Sequence, residues 1–275
     1  MTSLTTERAT EARRHEDSYC KRTLRDSVAP WLVIGLCLVM MVAATPAQAQ
    51  RGAGGRGAAP TPQASSPIDL TGYWVAVITE DWKFRMVTPK KGVYETLTLN
   101  AEGRKIGDSW DPARDEAAGE QCRSYGAGNI MRVPTRLRIS WQDATTMKIE
   151  TDAGTQTRLL RFGGAAPSGE PTWQGHSAAS WEFGPGRGAT RGGSLHVVTT
   201  NLKPGYVRKN GAPYSAQATV TEYFDLNTLP NGDQWLTVTT KVDDPTYFTR
   251  PYLTSSDFKK LPGAAGWNPT ACSSR

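Results

Sequence analysis

An all-β domain, closed as an antiparallel up-and-down barrel of about eight to ten strands, is the fold class this sequence predicts. Three observations predict it. Between residues 68 and 275 the chain carries ten short runs rich in β-branched and aromatic residues, punctuated by turn residues. Helical periodicity is almost absent from the same stretch, and no repeat of the kind that builds a propeller is evident. A meander of that many strands closes most economically into a barrel, because closure removes the exposed edges. A two-sheet sandwich is the alternative.

The elements follow in order. Residues 1–27 are basic, with Arg8, Arg13, Arg14, Lys21, Arg22 and Arg25 among five acids, and an apolar run follows from Trp31 to Ala44. It ends in Ala47-Gln48-Ala49, the Ala-x-Ala pattern of a signal-peptide cleavage site. The run is short of the roughly 20 residues a spanning helix needs, so residues 1–49 read as a signal peptide cleaved near Ala49, leaving no permanent membrane span. The basic region is long enough that the true start is open to lie after Met1. Leu36 before Cys37 is not the small residue a lipoprotein signal wants. The expected location is periplasmic or secreted. Residues 50–67, rich in Gly, Ala and Pro, hold almost nothing large enough to bury and read as a disordered linker. The domain then spans 68–275.

Within it the runs are 70–79, 84–88, 93–99, 136–141, 146–151, 156–162, 174–183, 194–201, 217–226 and 234–242. Lys209-Asn210-Gly211-Ala212-Pro213 and Pro230-Asn231-Gly232-Asp233 read as connecting turns. The long irregular stretch from Asn100 to Pro134 opens with a short helix capped by Asn100.

Cys122 and Cys272 are the two cysteines left beyond the leader. An even pair in an oxidising compartment predicts a disulfide, with free thiols or a nucleophilic Cys122 as alternatives. The leader takes six of 32 basic and five of 26 acidic residues, so 26 face 21 and the remaining net charge is +5. The bases are dispersed. Their nearest approaches to a cluster, Arg132 with Arg136 and Arg138, and Arg187 with Arg191, match no nucleic-acid module, and no nucleic-acid partner is expected.

Chemistry-bearing residues are sparse. Strand alternation puts Glu222 in the apolar row Ala218, Val220, Phe224, Leu226. A carboxylate there is a candidate acid or base, or half of an ion pair with an interior arginine such as Arg85, Arg158 or Arg208. His176 is the second catalytic candidate. It shares a strand face with Glu182 but lies about 20 Å away along the strand, too far for an acid–base pair. With His196 it completes the histidines beyond the leader, and no ligand spacing appears, so neither a metal nor a cofactor is predicted. No Gly-x-Ser-x-Gly elbow occurs. The glycines of 184–193 lack both the phosphate-cradle spacing and a following helix, and read as a hairpin loop. The acidic run after Asp111 is not an EF-hand. Eight tryptophans and several tyrosines beyond the leader suit either a ligand cavity or a core with aromatic end plugs.

Two resemblances add to this. Thr71-Gly72-Tyr73-Trp74, a Gly-x-Trp on a first strand, resembles the opening motif of lipocalins, barrels that bind small hydrophobic ligands with that Trp closing one end. For the arginine that packs over the Trp in that family, Arg250 is the candidate here. The segments Trp173-Gln174-Gly175-His176-Ser177 with Trp181-Glu182, Thr221-Glu222-Tyr223 and Asp243-Asp244-Pro245-Thr246-Tyr247 with Pro251 resemble a widespread group of uncharacterised secreted bacterial proteins. That likeness implies a compartment and a lipocalin-like barrel but no mechanism, and His176 stands where Tyr is frequent in the group.

The expected function is binding of a small apolar or aromatic ligand in the barrel cavity, lined by Trp82, Arg85, Trp181, Tyr206, Arg208, Glu222 and Tyr247. The rivals are a cofactor-free isomerase, cyclase or hydratase using Glu222 or His176, and an envelope interaction module, which calls for an exposed apolar patch.

Overall fold

The computed structural model describes residues 59–164, 166–185 and 192–275. The chain divides into two units, Met1–Gly55 and Arg56–Arg275. The first, which holds the expected leader, lies outside the described residues, as do 50–58 of the linker and 186–191 of the Gly-rich loop.

The described chain forms a closed barrel. Its strands are β1 (Gly72–Val77), β2 (Arg136–Asp143), β3 (Thr146–Thr151), β4 (Thr157–Phe162), β5 (His176–Phe183), β6 (Gly193–Thr200), β9 (Thr219–Thr228), β10 (Gln234–Asp243) and β11 (Tyr252–Leu261). Around the ring they run β1-β11-β10-β9-β6-β5-β4-β3-β2 and back to β1. The small ribbon of β7 (Gly205–Arg208) and β8 (Ala212–Tyr214) interrupts the meander between β6 and β9.

The ring has nine members, and an odd ring cannot alternate direction throughout. One pair must run parallel, and it is β4 with β5, where Leu160 faces Ser177 and Phe162 faces Ala179. A parallel neighbour requires the chain to travel back along the barrel between the two strands. The expected antiparallel meander is thus corrected at one seam and kept at the other eight.

Three helices, α1 (Trp82–Arg85), α2 (Ala101–Asp108) and α3 (Pro112–Ala117), lie between β1 and β2. Asn100 caps α2, its side chain accepting from Gly103 N at 2.9 Å. Asp111 caps α3 with Pro112 in the first turn. The expected strand at 84–88 is instead α1 and its exit, and 93–99 is a chain of turns with a single bridge, Leu99 to Phe248. In the latter the buried residues are Tyr94, Leu97 and Leu99, a spacing no strand produces.

The interior is filled. Trp74, Leu137, Ile139, Met147, Ile149, Leu160, Leu195, Val197, Phe224, Leu236, Val238 and Phe258 form one buried cluster. A second cluster around Tyr94, Leu99, Leu202, Val207, Tyr214, Val220, Val242 and Phe248 lies beneath the β1–β2 insertion and the β7–β8 ribbon, which cap that end. Trp141, Phe162 and Trp181 close the other end, with ring centroids 5.3–6.4 Å apart. There Trp181 Nε1 donates to Pro62 O at 2.8 Å and Gln63 N to Ala144 O at 3.2 Å, so the last part of the expected linker is laid on the barrel. Cys122 and Cys272 sit at disulfide distance, Cα to Cα 5.1 Å, as the cysteine count predicts. Among the described residues no helix is long and apolar enough to cross a membrane.

Candidate functional site: an arginine cleft at the capped end

The polar band between the two apolar clusters settles the role of Glu222. Arg158, from β4, donates from Nη1 to Glu222 Oε1 at 3.0 Å and from Nη2 to Oε2 at 2.6 Å, and Nη2 also reaches Thr199 Oγ1 at 3.3 Å. Thr199 is hydrogen-bonded to Ser177 at 2.8 Å. The two charged side chains are 1% and 0% exposed. Both carboxylate oxygens are occupied by one guanidinium, so Glu222, buried in its apolar row as expected, is half of an interior ion pair, the second of the two readings that position allowed. His176 begins β5, opposite Thr200 of β6. The partner that Glu182 meets is not His176 but His196, Nδ1 to Oε1 3.7 Å, from the neighbouring strand. His196 also stacks on Tyr223.

The seven expected lining residues do not meet in a lumen. Glu222 is in the ion pair, and Trp181 is in the aromatic plug at the end opposite the cap. Tyr206 is on β7, its hydroxyl donating to Asp115 Oδ2 at 2.8 Å beneath the Arg123 guanidinium, and burial is the main cause raising its pKa. Tyr247 packs against the capped-end cluster. Trp82 is exposed on α1. Arg250 is also exposed and precedes β11, and the cation over Trp74 is Lys260, 5.3 Å from the ring centroid. Only Arg85 and Arg208 come together.

They meet in a small cleft lined by Phe84, Arg85, Thr88, Asn129, Arg132, Val133, Pro134, Arg208 and Lys209, with about 20 Å³ of room. Three segments build it. α1 brings Arg85, whose Nε donates to Arg132 O at 2.9 Å and whose Nη1 pairs with Glu80. The 3₁₀ turn Ile130–Arg132 brings Arg132, whose Nη1 donates to Asp81 Oδ2 at 3.1 Å and Thr254 Oγ1 at 2.7 Å. The end of β7 brings Arg208, which donates to Glu95 O at 3.0 Å and Thr96 Oγ1 at 2.9 Å and lies 4.3 Å from the Phe84 ring centroid. The three are 7%, 3% and 2% exposed.

The electrostatics of the cleft are unbalanced. Arg85 and Arg132 each have a carboxylate, but among the described residues Arg208 forms no ion pair, and its two partners are neutral oxygens. Burial is the first cause lowering the pKa of both Arg85 and Arg208 and the Arg132 charge lowers both further, while Asp81 acts on both in the opposite sense, joined by Glu80 at Arg85 and Tyr252 at Arg208. Arg85 Nη2 and Arg208 Nε are buried without a hydrogen-bond partner. The backbone is strained at the same place. Asp81 has φ 48° and Thr96 φ 69°, and a β-branched residue at positive φ is costly enough to persist only where its surroundings hold it. Lys209 adds a fourth cation, donating to Tyr125 Oη at 3.2 Å and Arg275 O at 2.8 Å.

Of the expected basic cluster, then, Arg132 alone joins the cleft, while Arg136 and Arg138 pair with Asp152 and Glu150. A second, open groove of about 300 Å³ runs between Val75, Ala76, Thr135, Arg136, Asp152, Asn268 and Thr270. Its buried carboxylate oxygen, Asp152 Oδ1, already accepts from Thr135 Oγ1, Arg136 N and Ala153 N.

The geometry amounts to a capped barrel filled by side chains, with three buried guanidiniums lining one small cleft at the capped end. No protein-family model, curated protein or solved structure matches the chain.

Proposed function

We propose that the protein is exported and binds a small anionic molecule, held in the arginine cleft at the capped end and not inside the barrel. The observation that carries this reading is Arg208, a guanidinium 2% exposed with only neutral oxygens for partners. The carboxylate that acts on Arg208, Asp81, is already bonded to Arg132, so three buried guanidiniums share two carboxylates, and an oxyanion in the cleft would supply the missing charge. Two N–H groups of the lining arginines, Arg85 Nη2 and Arg208 Nε, are buried without a partner, which supports a shortage of acceptors there. Export is supported by the leader pattern and by the Cys122–Cys272 pair. The resemblance to lipocalins supports a binding role on a barrel scaffold, although this interior is filled. The Arg158 pairing supports a structural role for Glu222 over the acid–base rival.

Native mass spectrometry of the mature protein from the periplasm of its own host tests the reading. A stoichiometric small acid, absent from Arg208→Met that melts within a few degrees of the parent, is the expected result. A bare protein mass, together with no effect of acetate, octanoate or phosphate on the melting temperature, would remove it.

A further inference from the structure

The size of the cleft constrains what fills it. About 20 Å³ is room for one small group, since a single water needs ~10–15 Å³ by the same measure. Only the head of a ligand can enter, and its body must lie on the rim. The segment that supplies part of the lining also carries exposed apolar side chains. Phe84, Arg85 and Thr88 line the cleft, and the residues interleaved with them in the chain, Trp82, Met86 and Val87, are 67%, 59% and 68% exposed. Large apolar side chains grouped on a soluble surface mark a binding surface more often than chance. In the same segment Lys83, Lys90 and Lys91 are exposed, Lys83 paired with Glu95 at 3.3 Å, so the segment combines apolar and cationic side chains.

We infer that the ligand is a free amphiphilic carboxylate or similar oxyanion, with its head on Arg85, Arg132 and Arg208 and an aliphatic body along Trp82, Met86 and Val87. This rests on the anion-binding reading above and adds the apolar half of the ligand. The arginines supply directional donors for a planar head. The rim supplies burial, at about a fourfold gain in affinity for each methylene fully covered. On an open rim a six-methylene extension is partly covered, so the expected gain is roughly tenfold to a hundredfold.

Isothermal titration of the full mature protein with acetate and then with octanoate reads this directly, alongside the triple variant Trp82→Ala/Met86→Ala/Val87→Ala. All three positions are more than half exposed, so the variant keeps the fold. Octanoate binding at least about tenfold tighter than acetate, with the difference cut below about threefold in the triple variant, is the expected result. Octanoate and acetate binding within threefold of each other overturns the amphiphile and leaves the anion site standing. An octanoate preference that survives the triple variant overturns the placement on the rim. Co-sedimentation with phosphatidylglycerol vesicles, without octanoate binding, also overturns it by replacing a free ligand with a bilayer surface. If neither carboxylate binds and phosphate is silent too, the anion-binding reading fails as well.

Discussion

Replacing Glu222 by Gln leaves Arg158 charged in the middle of the barrel. In the parent the guanidinium holds both carboxylate oxygens at 3.0 and 2.6 Å, and the pair is 1% and 0% exposed, so no solvent can take over when the charge is removed. Arg158 Nε already lacks a partner, and what remains is Thr199 Oγ1 at 3.3 Å and the glutamine oxygen. Breaking a buried pair by removing one charge costs about 3–5 kcal/mol. For a domain of this size, each kcal/mol moves the midpoint by roughly 2–4 °C, so Glu222→Gln is expected to melt about 6–20 °C below the parent. The control removes both charges. Arg158→Met/Glu222→Met replaces the pair with apolar side chains of similar volume, and such swaps are neutral or stabilising by up to about 4 kcal/mol. The double variant should therefore melt well above the single one. Far-UV circular dichroism with thermal and urea denaturation reads both. A single variant within about 1 kcal/mol of the parent would refute the reasoning, as would a double variant whose loss equals the sum of the two single losses, because either outcome would mean the charges are solvated in a way this packing forbids.

The disulfide predicts a second result: Cys122→Ser/Cys272→Ser should lose about 3–5 kcal/mol in the chain-entropy picture, because the sequence separation it closes is 150 residues. Urea midpoints with and without reductant measure it, and a parent indifferent to reductant would contradict it. A third concerns Gly211, at φ +84° in the turn between β7 and β8, where a Cβ would run into the Trp110 side chain. Gly211→Ala should cost more than about 1 kcal/mol. Since β7 ends in Arg208, the same variant should weaken any anion binding, and unchanged stability would show that the ribbon adapts freely.

What could be read from the sequence depended on whether burial left a period behind. β2, β3, β4, β6, β9 and β10 bury one face and alternate, so their runs were visible. β11 was not, because its inward face carries Ser256 between Tyr252 and Phe258, and its sequence reads as polar. β7 and β8 are buried on both faces, which erases alternation altogether, and only their Asn210-Gly211 turn left a signal. Asn100 was legible as a cap because capping is local. The site was half legible. Arg85 and Arg208 could be singled out as bulky cations among β-like runs, and Glu222 as a charge in an apolar row. Arg132, Asp81 and Thr96 had no such signal, since the three segments that carry them meet only when the β1–β2 insertion folds over the barrel end.

The same insertion explains why the binding surface is where it is. A nine-membered ring is wide enough to need filling, and here it is filled from within by Trp74, Phe224, Phe258 and a charged pair. One end is then closed by rings, with Trp141, Phe162 and Trp181 in mutual contact. The capped end cannot be closed that way, because the chain must leave the barrel after β1, traverse three helices and return to β2, and leave again for β7 and β8. Irregular segments meeting edge to edge bring backbone oxygens with them, and those oxygens are what Arg85 and Arg208 satisfy, through Arg132 O and Glu95 O. Each arginine therefore arrives as a structural bridge between segments. A guanidinium has five N–H donors, however, and a bridge uses two or three. Arg85 Nη2 and Arg208 Nε are left over in this way, buried at the joint between cap and barrel, and that surplus is what the anion-binding proposal draws on.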